Sequence, residues 1–285
     1  MLKKWSVLPI IVGAVFLVVF PVAVDRMNGM RNRWALARVA NLADQGSELA
    51  EAELARAILG LSEPERERDY WNVRLKIALN QGSGDEAIDV VRRALQWLPE
   101  FRNIALLAYL HFYENLDFEQ ALKARLLFYG EREIEHPVVL NEIAYLRSLA
   151  LIDLDQGLLE IERALRDLPN SAAFLDTRAW ILFQMGRPKE ALVDATRAVE
   201  IAGRQYEVAQ NSFMYRVSQW LGGRPQPSSP DGLLTELEAG QDLWSLGVLH
   251  YHRGRILESL GRMEEAQEMW QWLQEHQLPK DDRLR

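Results

Sequence analysis

The sequence predicts an all-α solenoid of helical hairpins preceded by a single transmembrane helix. Three observations carry that expectation. Residues 138–201 spell the same helix, turn, helix pattern twice; two columns of small or apolar residues recur along the chain in step; and an uncharged apolar run, Trp5 to Val24, stands in front of them.

The apolar run comes first. Twenty helical residues at ~1.5 Å each span roughly 30 Å, the thickness of a bilayer's hydrocarbon core. Lys3 and Lys4 precede the run, and Trp5 opens it at one interface. A cleaved secretory signal is the alternative, but Pro21-Val22-Ala23-Val24-Asp25 is a poor match to a small-residue cleavage site. Residues 1–26 are therefore read as a retained anchor. Lys3 and Lys4 favour a cytoplasmic amino terminus, whereas Arg26, Arg31, Arg33 and Arg38 on the far side pull the other way. The short basic tail resembles a bacterial signal anchor. The expectation is a single-pass bacterial inner-membrane protein with its body periplasmic, the cytoplasmic orientation being the alternative.

Behind the anchor, 48% hydrophobic and 26% charged residues describe a folded body. The chain carries a net charge of −8, and the two lysines before the apolar run make the remainder more acidic still. A field of that sign repels phosphate backbones, so nucleic acid is not expected as a partner. Cysteine is absent, which removes disulfides, thiolate metal sites and cysteine nucleophiles.

The first central hairpin reads Val139 to Leu146, then Leu158 to Leu165, and closes on Pro169-Asn170. The second reads Phe174 to Leu182, turns at Gly186-Arg187-Pro188, resumes at Glu190 and ends near Val199. Helices this short are marginal alone in water, so each must be held by its neighbours in a stack. A small residue early in the second helix recurs as Ala50, Ala87, Ala121, Gly157, Ala191 and Ala266, at intervals of 37, 34, 36, 34 and 75. Seven residues later a second column, Ala57, Ala94, Phe128, Ala164, Ala198 and Leu273, keeps the same intervals.

Around these columns stand Trp71, Leu75, Gly82, Ala87, Ala94 and Pro99, and near the carboxyl end Gly254, Leu257, Gly261, Arg262, Glu264-Glu265-Ala266 and Trp270. This spelling resembles the tetratricopeptide repeat, whose period is 34 residues. The resemblance covers most of residues 31–202 and 247–275. It implies about five hairpins over 27–202, then, over 203–285, a degenerate repeat with a Gly/Pro loop at 222–232 and a final hairpin. The unit from Trp34 to Leu61 matches weakly and is read as a first cap. The units of Ala108 and Ala144 hold one extra residue before their second helix, so their turns should differ.

No motif for chemistry is present: no nucleophile elbow, no phosphate-cradling glycine loop, no paired metal-ligating histidines on a helix. His250 and His252 are two apart, so on a helix they point in different directions. Neither an enzymatic activity nor a cofactor nor a metal is expected.

The resemblance implies that first helices line a concave face that contacts other proteins. On that face stand Tyr109, Tyr145 and Trp180, each just after a small residue, with Asn141 and Asp176 four residues before and Phe112 and Phe183 three residues after. Amide, carboxylate and aromatic groups together suit a peptide segment. Packing of the same rings between neighbouring first helices is the other possibility, and the sequence leaves both open. Ala179→Leu should overfill a packed slot, and Arg178→Leu should do far less. The expected role is a membrane-tethered scaffold for protein partners in an inner-membrane assembly. A chaperone-like module that captures peptide segments and an accessory subunit of a membrane enzyme complex are the alternatives.

Overall fold

The computed structural model describes residues 30–59, 61, 63–211 and 243–280. These form two units that divide between Leu116 and Asp117.

The first unit holds α1 (residues 30–44), α2 (Ala50–Ile58), a 3-10 turn (Pro64–Arg66), α3 (Arg68–Gln81), α4 (Gly84–Trp97) and α5 (Asn103–Glu114). Leu36, Val39 and Ala43 of α1 pack with Ala50 and Leu54 of α2 against Val73 and Ile77 of α3. The hairpin α1–α2 thus buries its apolar stripe on the next helix, as the weakly spelled first unit requires. Ser83 caps α4 by accepting a hydrogen bond from the backbone N–H of Glu86, and Asp85 and Glu86 lie in the first turn, where the helix dipole favours acids. Ala87, Val91 and Ala94 then form its buried stripe. Helix α5 lies on both α3 and α4.

The second unit holds α6 (Phe118–Glu133), α7 (Pro137–Ala150), α8 (Leu154–Asp167), α9 (Ala172–Gln184), α10 (Pro188–Asn211), α11 (Leu243–Ser259) and α12 (Met263–Glu275). Gly130, at φ 66°, breaks the regular backbone of α6 near its end. From α9 onward one rule holds: each first helix packs on both helices of the hairpin before it. Helix α9 lies on α7 and α8, and α11 lies on α9 and α10. Close approach demands small residues at the contacts, and Ala144, Ala179, Ala191, Ala195, Ala198 and Ala266 are all buried.

All six members of the first column are buried, whereas Ala57 and Phe128 of the second are only half-buried. In α6 it is Tyr129, one residue on, that is buried. Glycine closes several helices by the same backbone bond. Gly46, Gly186 and Gly261 take positive φ, and the next residue's N–H donates five residues back: Ser47 to Leu42, Arg187 to Leu182, Arg262 to Leu257. Helix α7 closes the same way with Leu151 in the glycine's place. The extra residue expected after Ala144 is absorbed there, by one more helical residue and a second left-handed position at Asp153.

After Ala202 the repeat spelling fails, and the sequence places a degenerate repeat before the final hairpin. Ala198 and Ala202 of α10 share a core with Leu246 and Leu249 of α11, so α11 takes the adjoining place in the stack directly. Residues 212–242, with the Gly/Pro loop at 222–232 and most of the expected degenerate repeat, lie outside the described residues. So does the run Trp5 to Val24. Among the described residues no helix is long and apolar enough to cross a membrane.

Candidate partner-binding face of the first helices

Of the seven residues expected on the binding face, two belong to the first unit. Phe112 of α5 is buried, with the His111 ring edge-on at 5.8 Å, and Tyr109 is half-buried with its ring 5.6 Å from that of Tyr113. The other five belong to α7 and α9 of the second unit, where the aligned first helices bring them to one seam.

That seam is filled by α11. Asp176 is 4% exposed and Trp180 2%, and both are covered by His252, which is wholly buried. His252 Nδ1 lies 2.8 Å from Asp176 Oδ2. The His252 ring stacks on Trp180 with centroids 4.0 Å apart and planes 18° apart. Tyr251 completes the far side, its ring 6.4 Å from that of Trp180. Asp176 and Trp180 are therefore packing residues between successive first helices. They are not surface anchors, because the next first helix already occupies the face they present.

Asn141 is likewise buried, and its Oδ1 has no partner among the described residues. Tyr145 and Phe183 fare differently: both stay half-buried at the rim of the cluster, Tyr145 at 6.2 Å from the His252 ring and Phe183 at 5.1 Å from that of Trp180. They are the members of the predicted set in this unit that keep a partly open ring.

The sequence reading missed His252, although a positional signal existed. It stands two residues before the small Gly254, as Glu142 stands two before Ala144. Glu142 also reaches back to the preceding helix, accepting from Arg125 Nη2 at 2.9 Å. The position two before the small residue thus points at the hairpin behind, and a polar residue there finds its partner across the seam. His250 faces elsewhere, stacked on Trp272 at 3.9 Å with planes 4° apart, so the two histidines do point in different directions.

Within hairpins, charge pairs join first to second helix. Arg178 grips Asp194 with Nε and Nη2 at 2.7 and 2.8 Å, and the hydrogen bond to that carboxylate holds the guanidinium pKa above its ordinary value. Arg147 bridges Glu160 at 3.0 Å and Asp153 at 3.1 Å. Glu160 and Asp194 are both buried, so each needs its arginine.

Chemically, the Asp176–His252 pair has the form of an oriented base whose Nε2 has no hydrogen-bond partner among the described residues. With His252 wholly buried, no substrate atom reaches it. The arrangement orients helices.

The tetratricopeptide repeat family model matches residues 248–269, which run from within α11 to within α12. No curated protein matches the chain. The chain carries a tetratricopeptide repeat in that hairpin, and the paired stacking of its other helices is consistent with an array of the same kind.

Proposed function

We propose that the protein is a membrane-tethered scaffold that holds protein partners in a bacterial inner-membrane assembly, with its body on the periplasmic side. The observation that carries the reading is the seam between α9 and α11, where Asp176 and Trp180 are locked under His252. A stack whose first helices are fixed to one another by buried polar and aromatic contacts is a preformed surface, and preformed surfaces bind with little ordering cost. The tetratricopeptide repeat at 248–269 supports a role in protein–protein contact. The apolar run Trp5 to Val24 supports the tether, which would confine that surface to a layer near the bilayer and raise its effective concentration toward membrane partners.

The partner-facing residues in this reading are Tyr145 and Phe183 in the second unit and Tyr109 in the first, with Asn141, Asp176, Trp180 and Phe112 supporting them from within. Co-purification of the full chain from membranes in mild detergent tests it. A defined set of protein partners, lost in Tyr145→Ala/Phe183→Ala while the melting temperature is kept, is the expected result. Capture of many unrelated unfolded chains would favour the chaperone-like reading. Association that survives these changes and depends on Trp5 to Val24 would favour an accessory subunit held through its transmembrane segment. An alkaline phosphatase fusion after Arg285 should be active, and an inactive fusion beside an active cytoplasmic reporter would reverse the orientation.

A further inference from the structure

Beyond α12 the chain turns back on itself. Gln277 takes the left-handed backbone (φ 56°) and the N–H of Leu278 donates to the carbonyl of Leu273 at 2.9 Å. Leu278 then lies against Gly247 of α11: a Cβ built on that glycine would stand 2.6 Å from Leu278 Cδ1. Lys280 sits with Nζ 4.2 Å from the centre of the Trp270 ring and 3.9 Å from Glu258 Oε1. The Trp270 indole N–H donates to the same carboxylate oxygen at 3.0 Å, so ring and carboxylate form one seat for a cation.

The place taken by Leu278 has a counterpart one hairpin earlier. Gly247 and Leu273 follow Ala172 and Ala198 by 75 residues, the interval that separates Ala191 from Ala266. Ala172 and Ala198 belong to the core that Leu246 and Leu249 of α11 enter. In the α9–α10 hairpin, then, these positions receive the next first helix. In the α11–α12 hairpin they receive the tail.

We propose that this face of the α11–α12 hairpin is a helix-docking surface whose resident ligand is the chain's own Leu278–Lys280 segment, and that its outside partner is an amphipathic helix with an aliphatic side chain and a lysine or arginine one turn apart. The aliphatic group enters the slot over Gly247, and the cation enters the seat between Trp270 and Glu258. Such a helix competes with the tail, which holds the face by being tethered beside it. The proposal stands apart from the face of α7 and α9 and does not depend on it.

Because the chain has no cysteine and the partner is unidentified, the test uses a photo-reactive probe. A synthetic 18-residue Leu/Lys amphipathic helix, with a benzophenone beside its central leucine, is irradiated with the full chain in detergent, and adducts are mapped by mass spectrometry. Leu278→Ser/Lys280→Ser should raise adduct yield on α11 and α12 at least tenfold over the unchanged chain. Gly247→Leu placed in that released background should abolish the gain by filling the slot. Replacing the probe's lysines with glutamine, or Glu258 with Gln, should cut it several-fold, and Glu258→Gln keeps the test decisive if Gly247→Leu fails the circular dichroism check for helix content. Equal yields in the unchanged and released chains, or a gain in the released chain indifferent to both the slot and the cation seat, would overturn the proposal.

Discussion

Asp176 on α9 and His252 on α11 are 76 residues apart in sequence and meet at 2.8 Å. Neither side chain has water to fall back on, so removing one strands the other. Asp176→Ala should cost about 1–3 kcal/mol, the range for a buried hydrogen-bonding group left unpaired. Combined with His252→Ala, the loss should be less than the sum, with a coupling of about 0.5–3 kcal/mol in urea denaturation. Full additivity would mean that the contact is geometric only.

Trp180 is a stability residue first. Its ring is held by His252, Phe183 and Tyr251, and Trp180→Ala should lower stability by about 3–5 kcal/mol through the cavity it leaves. Tyr145→Ala, at the rim, should cost clearly less. Thermal unfolding of the two variants side by side checks the order, and a rim change as damaging as the core one would move Tyr145 into the packing set.

Arg178 corrects an expectation drawn from spacing alone. A residue just outside a small packing slot reads as replaceable, yet both of its guanidinium bonds go to the buried Asp194. Arg178→Leu leaves that carboxylate buried without a partner and should destabilise by about 3–5 kcal/mol. That is no milder than Ala179→Leu, at about 1–3 kcal/mol for overpacking. Arg178→Leu/Asp194→Leu should recover most of the loss, and chemical denaturation of the three variants measures it.

His250 gives the stack a pH dependence of known sign. Burial, then the charges of Arg253 and His276, hold its pKa down from 6.5 to about 4. The fold keeps the ring neutral on Trp272, while the unfolded chain takes up a proton first as pH falls. The contribution is therefore intact above pH 6.5 and is lost as pH falls toward 4. At ~1.4 kcal/mol per pH unit the full loss is about 3 kcal/mol. His250→Phe keeps a ring on Trp272 and cannot protonate, so its stability relative to the unchanged chain should rise between pH 7 and pH 4.5. A constant difference would remove His250 from the acid response.

What was legible in the sequence was whatever repeats. Ala87, Ala121, Ala191 and Ala266 could be found because close helix approach admits only small residues, and the approach recurs each period. The turns at Gly186 and Gly261 were legible for the same reason, since a left-handed helix end favours glycine. The candidate face was legible as a row, and the sequence left open whether that row is a surface or a seam. Whether Trp180 meets solvent or a neighbour depends on what α11 brings to it, and α11 lies across an interval that the period does not bridge. Arg178–Asp194 and Leu278 over Gly247 escaped because a single pair of side chains leaves no periodic trace.

The direct seating of α11 on α9 and α10 has a consequence for how the chain tolerates change. The shared core is made by Ala198 and Ala202 of α10 with Leu246 and Leu249 of α11, residues brought together from either side of positions 212–242 in the chain. Closing a flexible loop becomes harder only with the logarithm of its size, by roughly 0.6 kcal/mol for each doubling. By that measure an insertion between Asn211 and Leu243 should still let Leu246 and Leu249 return to Ala198 and Ala202, and thermal unfolding of an insertion variant checks it.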